Sequence, residues 1–492
     1  MRLLNTNTWT LHEFISDDEV PPYAILSHTW DKEEVNFQQW ESIATSKDAA
    51  SDIYSMKGYH KIKQFGEKAA GNGFSWVWID TCCIDKKSSA ELSEAINAMF
   101  QWYKNAQVCY VYLEDVSWCS DKVDIERKLR PSRWFTRGWT LQELIAPVKV
   151  EFYSTDWMEI GTKDGLSSLL SSITGIDEHI LNGGNLEDVS VARRMSWASG
   201  RNTSRLEDTA YCLLGIFDVN IPLIYGEGRK AFQRLQEAIM NSTHDQSLFA
   251  WGRIIKRPAE LISEGQQLGT DFIPWKEARD RRPLLGLFAE SPKDFKDSSD
   301  IQPVDHGYAH HHVRRNPPTM VNKGVLINLV IYQKFASIAY WDDPPVAQPH
   351  DLELTILLCR HGTTGSKLIG LILYSWGDQY YSRTDELFPV NLFVSHVRFE
   401  SWTRQRHLLP FKPFQFRNGD ILLRRWISPI NTSWIERPNT GSGPAWRQKC
   451  GDRVLRIETG ADGDEDESFM FKTSKTEGTA HDWRVSFSFW VK

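Results

Sequence analysis

Glu143 is the residue around which chemistry can first be written. It lies in the stretch Arg133 to Leu144, which carries two arginines, three aromatic residues and one carboxylate before Pro147 stops a helical pattern. Arg137 to Ala146 reads as a helix, and residues four apart on a helix share a face, so Glu143 sits one turn below Trp139. An acid beside an indole suits a cationic or planar ligand. The same spacing also describes an amphipathic helix that ends in a solvated glutamate, and the pattern alone leaves both readings open.

Other residue types offer other chemistry. Cys82 or Cys83 could serve a thiol hydrolase as nucleophile with His28 as base, although adjacent cysteines at the end of a strand also simply pack. No cysteine pair has the C-x-x-C spacing of a zinc site, so no structural metal is expected. His310-His311-His312 lacks spaced acidic or cysteine partners and reads as a loop. Asp462 to Glu467 reads as a solvated acidic hairpin loop, because the ligand spacing of a calcium loop is missing. Arginines and lysines from Arg398 to Arg425 alternate with aromatics; they fit single-stranded nucleic acid or, on a strand-rich face, ordinary surface. The phosphate-cradling patterns G-x-G-x-x-G after a first strand and G-x-x-x-x-G-K-[ST] are both missing, which argues against a Rossmann dehydrogenase and a P-loop nucleotidase.

The elements that must position these residues alternate in type. Pro22 to Trp30 is an apolar run that turns polar at Ser27-His28-Thr29-Trp30, as a buried strand does at the edge of its sheet. Tyr59 to Ala70 is a helix stopped by Gly71-Asn72-Gly73. Phe74 to Asp80 is the second strand, and Ser88-Ser89-Ala90-Glu91 reads as a capping box opening a helix with Leu92, Ile96, Met99 and Tyr103 on one face. Val108 to Leu113 is the third strand and Val148 to Tyr153 the next. Strands alternating with helices imply right-handed crossovers and a parallel sheet covered on both faces. Ligands bind outside the carboxyl ends of such strands, here Ser27 to Trp30, Asp80 to Asp85 and Glu114-Asp115.

From about residue 156 the period becomes helical, with Leu166, Leu169, Leu170 and Ile173 as one stripe. Ser204 to Glu207 reads as a second capping box, and Glu227 to Met240 as a further helix. After Trp251 short apolar runs separated by turn residues predict an antiparallel sandwich or barrel: 324–332, 336–341, 352–358, 368–376, 392–399, 419–426, 453–458, 468–471 and 483–491. The expected division is therefore an α/β domain over 1–155, a helical extension packed on it over 156–252, and a β-rich domain over 253–492.

Composition narrows the class. A chain of 492 residues exceeds one ordinary core and points to two or three domains. Apolar content of 41% with 25% charged residues is globular, and runs such as Leu368 to Tyr374 are too short to span a bilayer. Asn5, Thr6 and Asn7 break any signal-peptide core, so a cytoplasmic protein with reduced thiols is expected. A net charge of −7 argues against bulk nucleic-acid binding. Twenty-one tryptophans, twelve of them up to Trp251, imply large aromatic cores or interfaces.

Four of these stretches, taken in order, carry a family resemblance. Ala24 to Trp30, Trp78-Ile79-Asp80-Thr81-Cys82-Cys83-Ile84-Asp85, Val111-Tyr112-Leu113 and Arg137-Gly138-Trp139-Thr140-Leu141-Gln142-Glu143-Leu144 together resemble the fungal heterokaryon-incompatibility (HET) domain over roughly the first 155 residues. Trp197 to Arg201, Glu207 to Phe217 and Ile224 to Gly228 resemble the segment C-terminal to that domain in many of its proteins. The β-rich tail resembles a companion domain of unknown role. The resemblance implies non-self recognition and regulated cell death, self-association through the HET domain, and an upstream nucleotide-binding sensor as partner. The HET domain is in turn similar to TIR domains, a flavodoxin-like fold whose enzymatic members cleave NAD with a glutamate in a Trp-Cys-x-x-Glu-Leu helix. Trp139 to Leu144 has that spacing with Thr140 in place of the cysteine. The resemblance thus implies Glu143 as catalytic residue, with Ser27, His28, Trp30, Asp80, Asp85, Arg137 and Trp139 around a bound NAD substrate and no cofactor. Many TIR-type domains are adaptors, so it equally implies a non-enzymatic death-signalling scaffold.

Overall fold

In the computed structural model of the chain, residues 1–43, 47–254 and 286–304 are described, followed between 318 and 484 by shorter stretches that are chiefly strands. Strands β1 (Arg2–Asn5), β2 (Leu11–Glu13), β3 (Ala24–His28), β4 (Trp76–Trp78), β5 (Val108–Tyr112), β6 (Val150–Tyr153) and β7 (Glu159–Thr162) form one sheet in the order β2-β1-β4-β3-β5-β6-β7. β4, β3, β5 and β6 are parallel, whereas β1, β2 and β7 add antiparallel edges. All five residues of β3 are buried. A parallel strand covered on both faces has no polar alternation, which is why it reads as a continuous apolar run.

The parallel strands occur in space in the order second, first, third, fourth. That is the flavodoxin-type arrangement, in which winding reverses between the first and third strands and leaves a crevice at their carboxyl ends. Helices α1 (Phe37–Ser42), α2 (Lys47–Tyr54), α3 (Lys57–Gly71), α4 (Asp80–Cys83), α5 (Ser89–Asn105), α6 (Lys122–Leu129) and α7 (Thr140–Ile145) fill the connections. The expected α/β class holds. α3 starts where Gly58 meets the preceding loop so closely that a Cβ would lie 2.5 Å from the Glu33 carbonyl oxygen.

Several local expectations change. β1, β2 and β7 were not legible, because edge strands of three or four residues are too short to show a period. The expected capping box of α5 is half made: Ser88 Oγ accepts from the Glu91 amide at 3.3 Å, but the Glu91 carboxylate turns away to the Asp85 amide at 2.8 Å and the Arg2 guanidinium at 2.7 Å. Of the helix expected from Arg137 to Ala146 only the short α7 forms, with Trp139 at its N-cap and a 3-10 turn at Arg133–Thr136 before it. Asp80 is the first residue of α4 and not the last of a strand.

Helices α8 (Ser167–Thr174), α9 (Glu178–Leu181), α10 (Val191–Ala198), α11 (Asp208–Tyr211) and α12 (Lys230–Ser242) build the extension. The second expected capping box does not form. Glu207 Oε1 instead accepts the amides of Gly226 and Gly228 at 2.8 and 2.9 Å, fastening a loop whose two glycines hold φ of +99° and +62°. That left-handed backbone is one that glycine adopts without steric cost. Gly215 lies so close to α5 that a Cβ would stand 2.1 Å from Phe100 Cβ. Overpacking of this kind costs about 1–3 kcal/mol, so Gly215→Ala is expected to lower the urea midpoint. An unchanged midpoint would refute that close approach.

Beyond Trp251, β8 (Arg253–Ile254), β9 (Ile301–Pro303), β10 (Thr319–Val321), β11 (Gly324–Tyr332), β12 (Leu352–His361), β13 (Lys367–Ser375), β14 (Tyr381–Asn391) and β15 (Trp402–Leu409) pair in a sheet that is antiparallel except where β8 meets β14. β16 (Thr432–Glu436), β17 (Ala445–Cys450), β18 (Arg453–Glu458) and β19 (Asp482–Arg484) form another. The runs at 324–332, 352–358, 368–376 and 453–458 are strands as expected. β14 and β15 carry charged residues along their length and gave no apolar signal. The runs at 336–341, 392–399, 419–426 and 468–471, the three histidines, the acidic loop and most of the arginine-rich stretch lie outside the described residues; Arg404 and Arg406 fall in β15.

Candidate functional site at the carboxyl rim

Side chains alternate along a strand, so Ile25 and Ser27 of β3 face one side of the sheet and Leu26 and His28 the other. On the first side Ser27 Oγ donates to Glu143 Oε2 and accepts the indole N–H of Trp134 at 2.8 Å. Trp134 is delivered by the 3-10 turn before α7 and packs edge-to-face on Phe135 and Phe152. Tyr103, at the end of α5, hydrogen-bonds the Leu26 carbonyl at 3.1 Å and also reaches Glu143. The glutamate is only 7% exposed, so of the two readings the pattern left open, the solvated one does not hold.

Burial pushes the Glu143 carboxyl up to about 8, assisted by the negative charge of Asp80 and opposed by the hydrogen bond from Ser27 and the charge of Arg137. The group is therefore mainly protonated at neutral pH. It ionises when a positive charge arrives, since an opposite charge nearby favours the charged form.

On the other side His28 Nε2 lies 3.8 Å from Glu34 Oε1 and 3.9 Å from Asp80 Oδ1, with no hydrogen-bond partner. Burial first, then the charges of Lys61, Lys86 and Arg137, hold this imidazole well below its ordinary range and hence neutral. Glu34 pairs with Lys61 from α3. At the rim between the two sides Asp80 Oδ2 accepts the Trp30 indole N–H at 2.9 Å and lies 3.5 Å from Lys86 Nζ.

The structure thus gathers Ser27 and Glu143 in direct contact, with Asp80 and Arg137 close enough for their charges to act on the acid. His28 and Trp30 join through Asp80. Two expected members stand elsewhere. Asp85 accepts the Lys87 amide at 2.9 Å and the Gln38 amide at 2.5 Å, serving the turn into α5. Trp139 lies beside Asp208 of α11, so its indole is turned toward the residues after 155. Tyr103 and Trp134 are site residues that the sequence did not single out; Tyr103 ends an apolar helix stripe, and Trp134 lies within the opening motif, where an indole is equally at home as packing.

α7 is held at both ends by buried cations from beyond residue 155. At its start the Arg201 guanidinium donates to the Arg137 carbonyl at 2.8 Å, Thr140 Oγ at 3.0 Å and the Trp197 carbonyl at 3.3 Å. Asn202 bridges the same segment, accepting the Gly138 amide at 2.9 Å and donating its own to Thr136 at 2.7 Å. At its end Lys163 Nζ donates to the carbonyls of Leu144 and Pro147. A cation there complements the helix dipole.

Cys82 and Cys83 are both buried. Burial and the neighbouring Cys83 raise Cys82 well above the usual range, and Cys83 Sγ accepts the Ile79 amide. Six cysteines among the described residues are free thiols. No three His, Cys, Asp or Glu side chains among the described residues are grouped to hold a metal ion, and no helix among them is long and apolar enough to cross a membrane.

Residues 230–411 match a domain of unknown function, DUF8212. The vegetative incompatibility protein HET-E-1 of Podospora anserina is 50% identical over 230 residues, which is 45% of this chain and 16% of that protein. No solved structure matches the chain. The heterokaryon incompatibility protein (HET) family matches residues 23–126, the segment that supplies Ser27, Asp80 and Tyr103. The chain thus contains a heterokaryon-incompatibility (HET) domain, matched over residues 23–126.

Proposed function

We propose that the chain is a cytoplasmic effector of vegetative incompatibility whose TIR-like HET domain cleaves the nicotinamide–ribose bond of NAD. The observation that carries this reading is the Ser27–Glu143 hydrogen bond at the carboxyl rim, on the crevice where winding reverses. Nicotinamide leaves C1′ with the bonding electron pair, and positive charge develops on the ribose. A carboxylate stabilises that oxocarbenium-like state, and water then adds to C1′, its proton passing to the carboxylate. Glu143 supplies the carboxylate, Ser27 and Tyr103 fix its orientation, and Arg137 holds the phosphates. Self-association and an upstream nucleotide-binding sensor would control access.

One observation favours a second reading, a non-enzymatic scaffold. Glu143, Ser27, Tyr103 and Trp134 hydrogen-bond one another within the core, as a structural polar network does. The test is nicotinamide release from NAD by purified chain, alone and forced to oligomerise through a fused dimeriser. Release retained in Cys83→Ala and lost on changing Glu143 supports the glycohydrolase. Toxicity on expression with no release from any form would leave the scaffold.

A pH profile adds a separate check. Because the free enzyme's acid titrates near 8, kcat/KM is expected to rise with pH toward that value. The cationic nicotinamide ring lowers the same group in the complex, so the inflection in kcat should lie at lower pH. Coincident inflections would contradict the proposed contact.

A further inference from the structure

Trp30 is 43% exposed at the rim, yet one face of its ring is already taken. Lys86 Nζ stands 3.5 Å from the ring centroid, and the same ammonium is 3.5 Å from Asp80 Oδ2, the atom that accepts the Trp30 indole N–H at 2.9 Å. An aromatic face with a carboxylate fixed to its edge is a cation receptor, because the ring quadrupole and the carboxylate attract the same charge. Its present occupant is a flexible side chain of the chain itself. Asp80 Oδ1 faces His28 Nε2, a ring nitrogen with no hydrogen-bond partner in a side chain 1% exposed. A second acceptor or donor therefore waits beside the receptor.

We propose that Lys86 is a built-in surrogate for the ligand's cation: its ammonium holds the Trp30–Asp80 receptor closed, and a cationic heteroaromatic ring, the oxidised pyridinium of a nicotinamide nucleotide, displaces it. This rests on the NAD reading for the identity of the ring, but the receptor is defined by contacts that do not involve Glu143. The exchange replaces one cation–π pair with another, so charge at the rim is conserved and Asp80 is never left unpaired. It also sets specificity. A neutral ring cannot replace the ammonium against Asp80, so the reduced, uncharged dihydropyridine and free nicotinamide are rejected, and product leaves once its charge is gone.

The experiment titrates the full chain with 1-methylnicotinamide, a cation, and with nicotinamide, its neutral counterpart. Binding is followed at the Trp30 indole N–H resonance, assigned through Trp30→Phe. Lys86→Met, which keeps an unbranched chain one atom shorter and removes the charge, is expected to bind the cation about five-fold or more tightly than the native chain, within the range of one cation–π contact. Nicotinamide should show no such gain, and Lys86→Arg should behave as native. Equal affinities in native chain and Lys86→Met would overturn the proposal, as would an equal gain for the neutral ring. Failure of the NAD reading is seen separately: cation-selective binding with no nicotinamide release from NAD would sink catalysis and leave the receptor standing, whereas release indifferent to residue 86, with no cation-selective gain, would sink the receptor alone.

Discussion

Glu143→Gln is expected to leave the chain folded and to cut nicotinamide release by about 10²–10³-fold or more, the loss expected on removal of one preorganised electrostatic partner. Glutamine keeps the shape and accepts from Ser27, so the fall reports charge and not collapse. The same substitution carries a stability signature that needs no substrate. The folded carboxyl titrates near 8 and the ordinary value is 4.5, so the unfolded chain gives up its proton first. Stability from this group is fully present below the lower value and is lost as pH rises through the higher one. A shift of that size corresponds to a loss on the order of 5 kcal/mol at about 1.36 kcal/mol per unit. Native chain should weaken across that window in urea unfolding, Glu143→Gln should lack this component, and above pH 8 the variant should be the more stable. Identical pH slopes in the two chains would show that the acid is not buried as described.

Arg201→Met is expected to act on the same acid from a distance. The substitution removes three donors from the Arg137 and Trp197 carbonyls and Thr140 Oγ, the last two bonds buried and the first part-buried. Orphaning buried acceptors costs about 1–3 kcal/mol each; Thr140 still serves the Arg137 carbonyl, so a total of about 2–3 kcal/mol is expected. The functional effect should fall on kcat more than on KM, because α7 loses its fixed start while the rim residues stay in place. Arg201→Lys should restore part of both, one ammonium reaching fewer acceptors than a fork of five donors. A variant with native midpoint and native turnover would end the case for Arg201 as a positioning residue.

The parallel sheet was legible because β3 and β5 are buried on both faces and so read as unbroken apolar runs. α3 and α5 were legible from their periodic faces. The edge strands and the short α1 were not, since three to six residues with mixed burial carry no period. Candidate site residues obeyed a related rule. Ser27, His28, Trp30, Asp80 and Glu143 were found because strand ends and one short motif name them. Lys61, Lys163 and Arg201 were not, because each reaches the rim or α7 from a segment remote in sequence, and Lys86, although next to Asp85, carries no signal of its own in the pattern. The face of the sheet to which His28 points is set by alternation along β3, but its neighbours Glu34 and Lys61 depend on how the connection between β3 and β4 packs.

The two cations that grip α7 carry a consequence for how this domain can be inherited or transplanted. A helix of six residues is far shorter than one that sustains itself in water, so its shape is borrowed from its anchors. Those anchors are Lys163 and Arg201, downstream of the four motifs by which the domain is recognised. A gene fragment ending near residue 155 would encode the acid without the bracket that aims it. A fragment transplanted into another protein keeps that bracket only if it runs through Arg201.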